Sequence, residues 1–208
     1  MTQALAGYNE HGIVLATDSR ATRFEDGGRQ ESFSVKKLFA LDRCCAILSG
    51  GAGVSAPLSL ALRRQWRRNL SQLDLEEMVQ FAIPFLSEGY ARQLARHGLE
   101  APGCRRIYFI LAGVSSHRPP PGFSLFLLGS EENELPLRLI PVNNVVVMPR
   151  NLGMELKLSK ALSRGAPLEA ILRLGQDFLE KQAAVRAEVG PPFYFATITA
   201  DGYRQVEL

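Results

Sequence analysis

The sequence predicts a single α+β domain, residues 1–208, in which antiparallel sheets pack face to face with helices on their outer sides. Three observations carry this. The elements come in blocks (strands, two helices, strands, two helices, strands) and not as alternating strand–helix units, which would imply a parallel, doubly wound sheet. Short turn-like segments join the strands within each block, as antiparallel neighbours require. The chain has 208 residues, 46% of them hydrophobic, enough for one substantial core, and no repeat, linker or low-complexity segment divides it.

The first block opens with "QALAGY" and "GIVLATD" around the turn-like "NEHG", which reads as a hairpin. A second pair, "SVKKLFAL" and "CCAILSG", is joined by Asp42-Arg43, so four strands are expected before any helix. The polar, glycine-bearing "RFEDGGRQES" between the pairs reads as a surface loop. From Val54 to Leu70 the period becomes helical: Leu58, Leu62, Trp66 and Leu70 share one side, and Arg63, Arg64, Arg67 and Arg68 the other. That basic stripe reads as a solvated or subunit-contact face. A second helix follows "SQLD", a capping-box candidate, with Met78, Phe81, Ala82, Phe85, Leu86 and Tyr90 at helical spacing and Pro84 expected to kink or interrupt it.

Strand character returns in "RRIYFILAGV", "GFSLFLLGS" and "PLRLIPVNNVVVMP", with "SHRPPPG" and "EENEL" as antiparallel connections. Helices are predicted over 152–162 and 167–185, with Gly165 ending the first and Pro167 starting the second. The final "FYFATITADGYRQVEL" reads as a hairpin turning at Asp201-Gly202.

Composition narrows the function classes. A net charge of +3 falls short of the dense basic patch of a nucleic-acid binder. Charges or glycines break every long apolar run before it could span a bilayer, and the first residues lack the basic-then-apolar order of a targeting signal. A soluble cytoplasmic protein without nucleic-acid or membrane partners is the expectation. Cys44, Cys45 and Cys104 read as buried reduced thiols, and the scattered His11, His97 and His117 offer neither a zinc cluster nor an identifiable acid–base histidine. No cofactor and no metal are expected.

The chemistry-bearing pattern lies in the first quarter. "GIVLATDSRAT", "SVKKLFAL" and "LSGGAG", in that order, resemble the front half of a proteasome β-type subunit of the bacterial type, a branch of the N-terminal-nucleophile hydrolases; Asp18 follows Thr2 by sixteen positions, the family's spacing, and the loop before Lys37 is slightly longer than usual. The resemblance extends in element order over nearly the whole chain. It implies a four-layer αββα sandwich, assembly into homo-oligomeric rings, an ATPase or other cap as partner, and threonine-type endopeptidase activity on peptides or unfolded proteins.

The residue chemistry accords with it. A threonine hydroxyl needs a base, and an α-amine with an unperturbed pKa of roughly 7.7–8.0 suits that task better than a lysine amine. Removal of Met1 would give Thr2 both groups. By the resemblance, Lys37 contributes positive charge beside Thr2, Asp18 holds that ammonium, and Gly50 offers a backbone N–H to the oxyanion. By the same correspondence the backbone at Thr22, Gly50 and Ala52 pairs with an extended peptide, while Ala21, Val35, Phe39, Leu48 and Ala52 line an apolar first pocket whose depth Phe39 and Leu48 limit.

The chain departs from the family pattern in the supporting residues. Pro149 or Arg150 stands where a serine is expected, and Arg186 and Val189 stand where an aspartate and a second serine are expected. A catalytically inactive structural or regulatory ring subunit is therefore the alternative. A remote second alternative is a dinucleotide-binding protein: Gly51, Gly53 and Ala56 of "GGAGVSA" match a glycine fingerprint between strand and helix, although the helix leads on to another helix and not to a parallel strand.

Overall fold

The computed structural model describes residues 2–24, 30–69, 74–97 and 105–208. Strands β1 (Ala4–Asn9) and β2 (Gly12–Thr17) form the expected opening hairpin, with Glu10 and His11 at its turn. β3 (Arg20–Phe24) and β4 (Gln30–Ser34) follow as a ribbon, then β5 (Leu38–Ala40) and β6 (Cys45–Gly51). Six described strands thus precede the first helix. The extra pair occupies part of the stretch read as a surface loop. Its sequence lacks apolar alternation because Glu31, Ser32 and Ser34 face water.

Helix α1 (Ser55–Asn69) buries Leu58, Leu62 and Trp66 and leaves Arg64, Arg67 and Arg68 outside. α2 (Leu75–His97) continues through Pro84, so of the expected kink or interruption the interruption does not occur. Proline removes one hydrogen bond, to the carbonyl of Gln80. Both residues are exposed, so water can satisfy that carbonyl. At the α2 entrance the N–H of Asp74 donates to Glu77 Oε2 at 2.8 Å, one half of a capping box. Leu70, Cys104 and the 71–73 part of the expected cap lie outside the described residues.

β7 (Ile107–Val114) and β8 (Phe123–Ser130) form a long antiparallel pair. The third expected strand is two, β9 (Arg138–Ile140) and β10 (Val145–Met148), placed in different sheets. α3 (Leu152–Ser163) and α4 (Leu168–Val185) match the predicted pair, with Gly165 at φ +64° between them. β11 (Tyr194–Thr199) and β12 (Gly202–Val206) close the chain; Thr199 pairs with Gly202, so the turn residues are Ala200 and Asp201, one position earlier than expected.

Every described pairing is antiparallel. One five-stranded sheet has the order β10-β1-β2-β11-β12, the other β5-β6-β7-β8-β9, and β3-β4 stands apart from both. This corrects the expected four-layer αββα sandwich: the fold is mixed, with mostly antiparallel sheets and four helices, and its third sheet joins neither large one. The physical reason lies after β2, where the chain leaves the first sheet and pairs Arg20–Phe24 with its own return strand. β6 and β7 pair antiparallel with two helices between them, so the parallel strand that a dinucleotide fold requires does not follow α1.

Alternation along the strands sorts the apolar side chains. Ile13 and Leu15 of β2 pack in one cluster with Leu48 and Ile110, while Val14 and Ala16 join Leu158, Ile171 and Leu179 of α3 and α4 in another. A further cluster sets Trp66, Met78 and Tyr90 against Ile47, Phe109 and Leu128. Strands buried on both faces make the frame beneath the N-terminus rigid.

Candidate active site

The site grows from the open end of the β1–β2 hairpin. Its ladder continues past the strands: the N–H of Asp18 donates to the Gln3 carbonyl at 3.0 Å, and the N–H of Gln3 donates to Asp18 Oδ1 at 2.9 Å. Gln3 Nε2 reaches across to the Met148 carbonyl at 3.1 Å. Residue 3 is thereby anchored from both sides, and it sets the position of Thr2.

Lys37 enters from the segment between β4 and β5. Its carbonyl accepts from the N–H of Ser49 at 2.9 Å. Its Nζ donates to Asp18 Oδ1 and to the Arg20 carbonyl, each at 2.8 Å. Asp18 is fully buried and Lys37 is 4% exposed. The second carboxylate oxygen of Asp18 accepts from the N–H of Arg20 at 3.0 Å. One buried carboxylate thus holds the backbone beside Thr2, the turn into β3 and the lysine ammonium. Burial pushes the Lys37 ammonium below its usual range, and the charge and hydrogen bond of Asp18 pull in the opposite direction.

Gly50 lies on the other side of Thr2. A Cβ built on Gly50 would stand 3.3 Å from both Cβ and Cγ2 of Thr2 and 3.7 Å from Met148 Cε, so a glycine permits this approach. Gly51 follows at φ +85°, and a Cβ built there would collide with the Arg106 carbonyl, so this position too requires glycine. The N–H of Ala52 donates to that same carbonyl at 2.7 Å, and the Ala52 carbonyl accepts from the N–H of Ser55 at 2.9 Å. Both polar groups of Ala52 therefore have partners within the chain.

Of the residues read from the sequence, Thr2, Asp18, Lys37 and Gly50 come together. Ala21 and Thr22 are half-buried on β3, and Val35 continues the ribbon by donating its N–H to the Ser19 carbonyl at 2.8 Å. Phe39 and Ala52 belong to the cluster that contains Trp66, whereas Leu48 belongs to the cluster that contains Ile13. The register explains the separation: Phe39 faces Ile47 and Leu38 faces Leu48, so Phe39 and Leu48 point to opposite faces of their sheet.

The supporting positions are built differently from the expectation. Arg150 is exposed and pairs with Glu155 at 3.4 Å; Pro149 and Arg186 are half-buried, and Val189 is buried. The segment holding Arg186 and Val189 nonetheless reaches the site through its backbone. The Gly190 carbonyl accepts from the N–H of Ser19 at 3.2 Å, and the Ala187 carbonyl accepts from Arg20 Nη1 at 2.7 Å. Gln3, Ser19, Arg20 and Met148 are the site residues that sequence reasoning missed. Backbone carbonyls carry most of their roles, and side-chain identity gives no sign of those. Among the described residues no group of three His, Cys, Asp or Glu could hold a metal, and no helix is long and apolar enough to cross a membrane.

With this geometry in place, solved structures give a consistent picture of the fold. Anbu (ancestral beta-subunit) from Yersinia bercovieri aligns at 14% identity with TM-score 0.67, covering 98% of this chain and 86% of that one. Anbu from Pseudomonas aeruginosa, solved as a helical assembly of the Anbu complex, aligns at 15% identity with TM-score 0.74 over 98% and 86% of the two chains. An Anbu (Gly-1) mutant from Hyphomicrobium sp. strain MC1 aligns at 16% identity with TM-score 0.64 over 100% and 86%. The fold is Anbu-like. No family model matches the chain, and no curated protein matches it. The assignment to the proteasome β-type subunits is corrected accordingly: the structures that share this fold are Anbu proteins, proteasome-like but a distinct family, and no family model or curated protein supports a proteasome β subunit.

Proposed function

We propose that this chain is a proteasome-like, self-associating threonine peptidase whose nucleophile is Thr2 after removal of Met1. The observation that carries the reading is the Asp18 carboxylate, which bonds at once to the Gln3 amide beside Thr2 and to the buried Lys37 ammonium while Thr2 packs against Gly50. A freed Thr2 amine takes the proton of the Thr2 hydroxyl as the oxygen attacks a peptide carbonyl. The charge on Lys37 favours the neutral amine. The Gly50 N–H stabilises the oxyanion, the leaving amine receives the proton, and water then hydrolyses the threonyl ester. Ala21 and Val35 line the first pocket, which takes apolar residues, and Phe39 and Leu48, on opposite faces of their sheet, do not both belong to it; peptide pairing runs along Thr22 and Gly50, and pairing at Ala52 requires exchange of its bond to Arg106.

Self-association is supported by the helical assembly of the Pseudomonas aeruginosa relative. In this chain an assembled ring is the working form, peptides and unfolded proteins are its substrates, and an ATPase or other cap is its partner. The second reading, a structural or regulatory subunit without activity, is favoured by Arg150 turning away to Glu155 and by the occupied backbone of Ala52.

Intact mass and covalent labelling separate the two. Assembled protein lacking Met1 should form an adduct with a peptide epoxyketone, whose two electrophilic carbons engage hydroxyl and amine, and Thr2→Ala should lose labelling and hydrolysis while keeping its assembly. Quantitative retention of Met1 in native assembled protein, or trimmed assemblies that neither label nor cleave apolar peptides, would establish the structural reading instead.

A further inference from the structure

The segment between α4 and β11 carries Arg186 and Val189 where an aspartate and a serine were expected, yet it braces the site through one residue of β3. Arg20 Nη1 donates to the Ala187 carbonyl at 2.7 Å. A Cβ built on Gly190 would stand 2.5 Å from Arg20 Cζ and 2.7 Å from its Nε and Nη2, so the guanidinium lies against a backbone that only a glycine leaves open. The Gly190 carbonyl meanwhile accepts from the N–H of Ser19 at 3.2 Å. The main chain of Arg20 serves the charged pair: its N–H donates to Asp18 Oδ2 at 3.0 Å, and its carbonyl accepts from Lys37 Nζ at 2.8 Å. One residue therefore ties both buried charges to a carbonyl 167 positions further along the chain.

We infer that Arg20 is a positioning residue whose side chain takes over the support that the missing aspartate and serine would have given. The inference rests on the peptidase reading, which defines what is positioned. β3 pairs with β4 alone among the described strands, and that ribbon joins neither large sheet, so the ladders of those sheets do not fix the peptide groups of Arg20. The guanidinium supplies the anchor instead. Its planar fork suits the task, because an edge donates to one carbonyl while the face rests on a glycine, which an ammonium cannot do. Without the anchor the N–H and carbonyl of Arg20 drift, and the placing of Asp18 and Lys37 around Thr2 drifts with them. Misplacement on the ångström scale costs up to about 100-fold in rate.

The test is a double-variant cycle in trimmed, assembled protein, read by peptide hydrolysis and by the rate of epoxyketone labelling at Thr2. Arg20→Ala should lower kcat by roughly 10- to 100-fold with KM nearly unchanged, and Arg20→Lys should recover part of the loss. Gly190→Ala adds a methyl group that displaces the guanidinium. It should therefore lower kcat when Arg20 is present and have almost no further effect beside Arg20→Ala. Arg20→Lys takes the place of Arg20→Ala in the cycle if the alanine variant does not assemble. Additive effects of the two substitutions, an effect confined to KM, or an unchanged kcat would overturn the inference. So would loss of assembly in all three single variants, which would assign Arg20 to the fold alone. Wild type that does not label overturns the peptidase reading itself, and this inference with it, a result distinct from a labelling wild type whose kcat is indifferent to Arg20.

Discussion

A lysine held at 4% exposure against a fully buried carboxylate has no water to fall back on, so Lys37 and Asp18 depend on each other. Lys37→Met should cost about 3–5 kcal/mol in urea unfolding because it strands the Asp18 charge, and the double variant with Asp18→Asn should cost clearly less than the sum of the two singles. The pH dependence follows from the depressed Lys37 value. Between that value and the ordinary 10.5, the unfolded chain binds more protons than the folded one, so stability rises with pH across this window. The difference between wild type and Lys37→Met, measured at several alkaline pH values, should show that rise and should be flat if Lys37 titrates normally. Asp18 and Lys37 were singled out in the sequence through the resemblance carried by "GIVLATDSRAT" and "SVKKLFAL". Arg20, Gln3 and Ser19 were hidden since they act on carbonyls of Ala187, Met148 and Gly190, groups that any residue at those places would provide.

Helix α3 begins next to the site, and its first turn depends on Asn151, whose side chain accepts from the N–H of Met154 at 2.9 Å. Asn151→Ala should lower stability by about 1 kcal/mol, and Asn151→Asp should retain it; thermal unfolding of the three proteins decides this. Elements of this kind were legible: α1, α3, α4 and the opening hairpin follow from amphipathic periods and their punctuation. The β3–β4 ribbon was not, because a strand with polar residues on its outward face looks like a loop. The division of "PLRLIPVNNVVVMP" between two sheets was equally hidden, since β10 is mostly buried while β9 is largely exposed, and neither pattern names the sheet its strand joins. Pro84 misled for a related reason: the expected interruption assumed a carbonyl with no alternative partner, and on an exposed face water is one.

On the scale of the molecule, α3 also presents Leu152 and Leu156 at 62% and 63% exposure, one turn apart, and Val185 at the end of α4 is 76% exposed. Apolar side chains so placed are suited to a contact between copies, as the proposed assembly requires. Leu156→Glu should shift the light-scattering mass toward the monomer without altering the circular dichroism spectrum, and an unchanged assembly would remove α3 from the contact. The antiparallel strand groups and helix pairs were foreseen, but the four-layer αββα sandwich inferred from them was not what the chain forms, and neither the separate third sheet nor the fold likeness to Anbu structures was legible in the sequence. The anchoring of residue 3 has one more consequence. None of the bonds that Gln3 makes to Asp18 and Met148 involves the residue that trimming would remove, so the frame around Thr2 is complete without that step. On the proposed peptidase reading, chain assembly and chemical arming are separate events: finished particles stay silent until an exopeptidase, not the folding reaction, sets the moment at which they switch on.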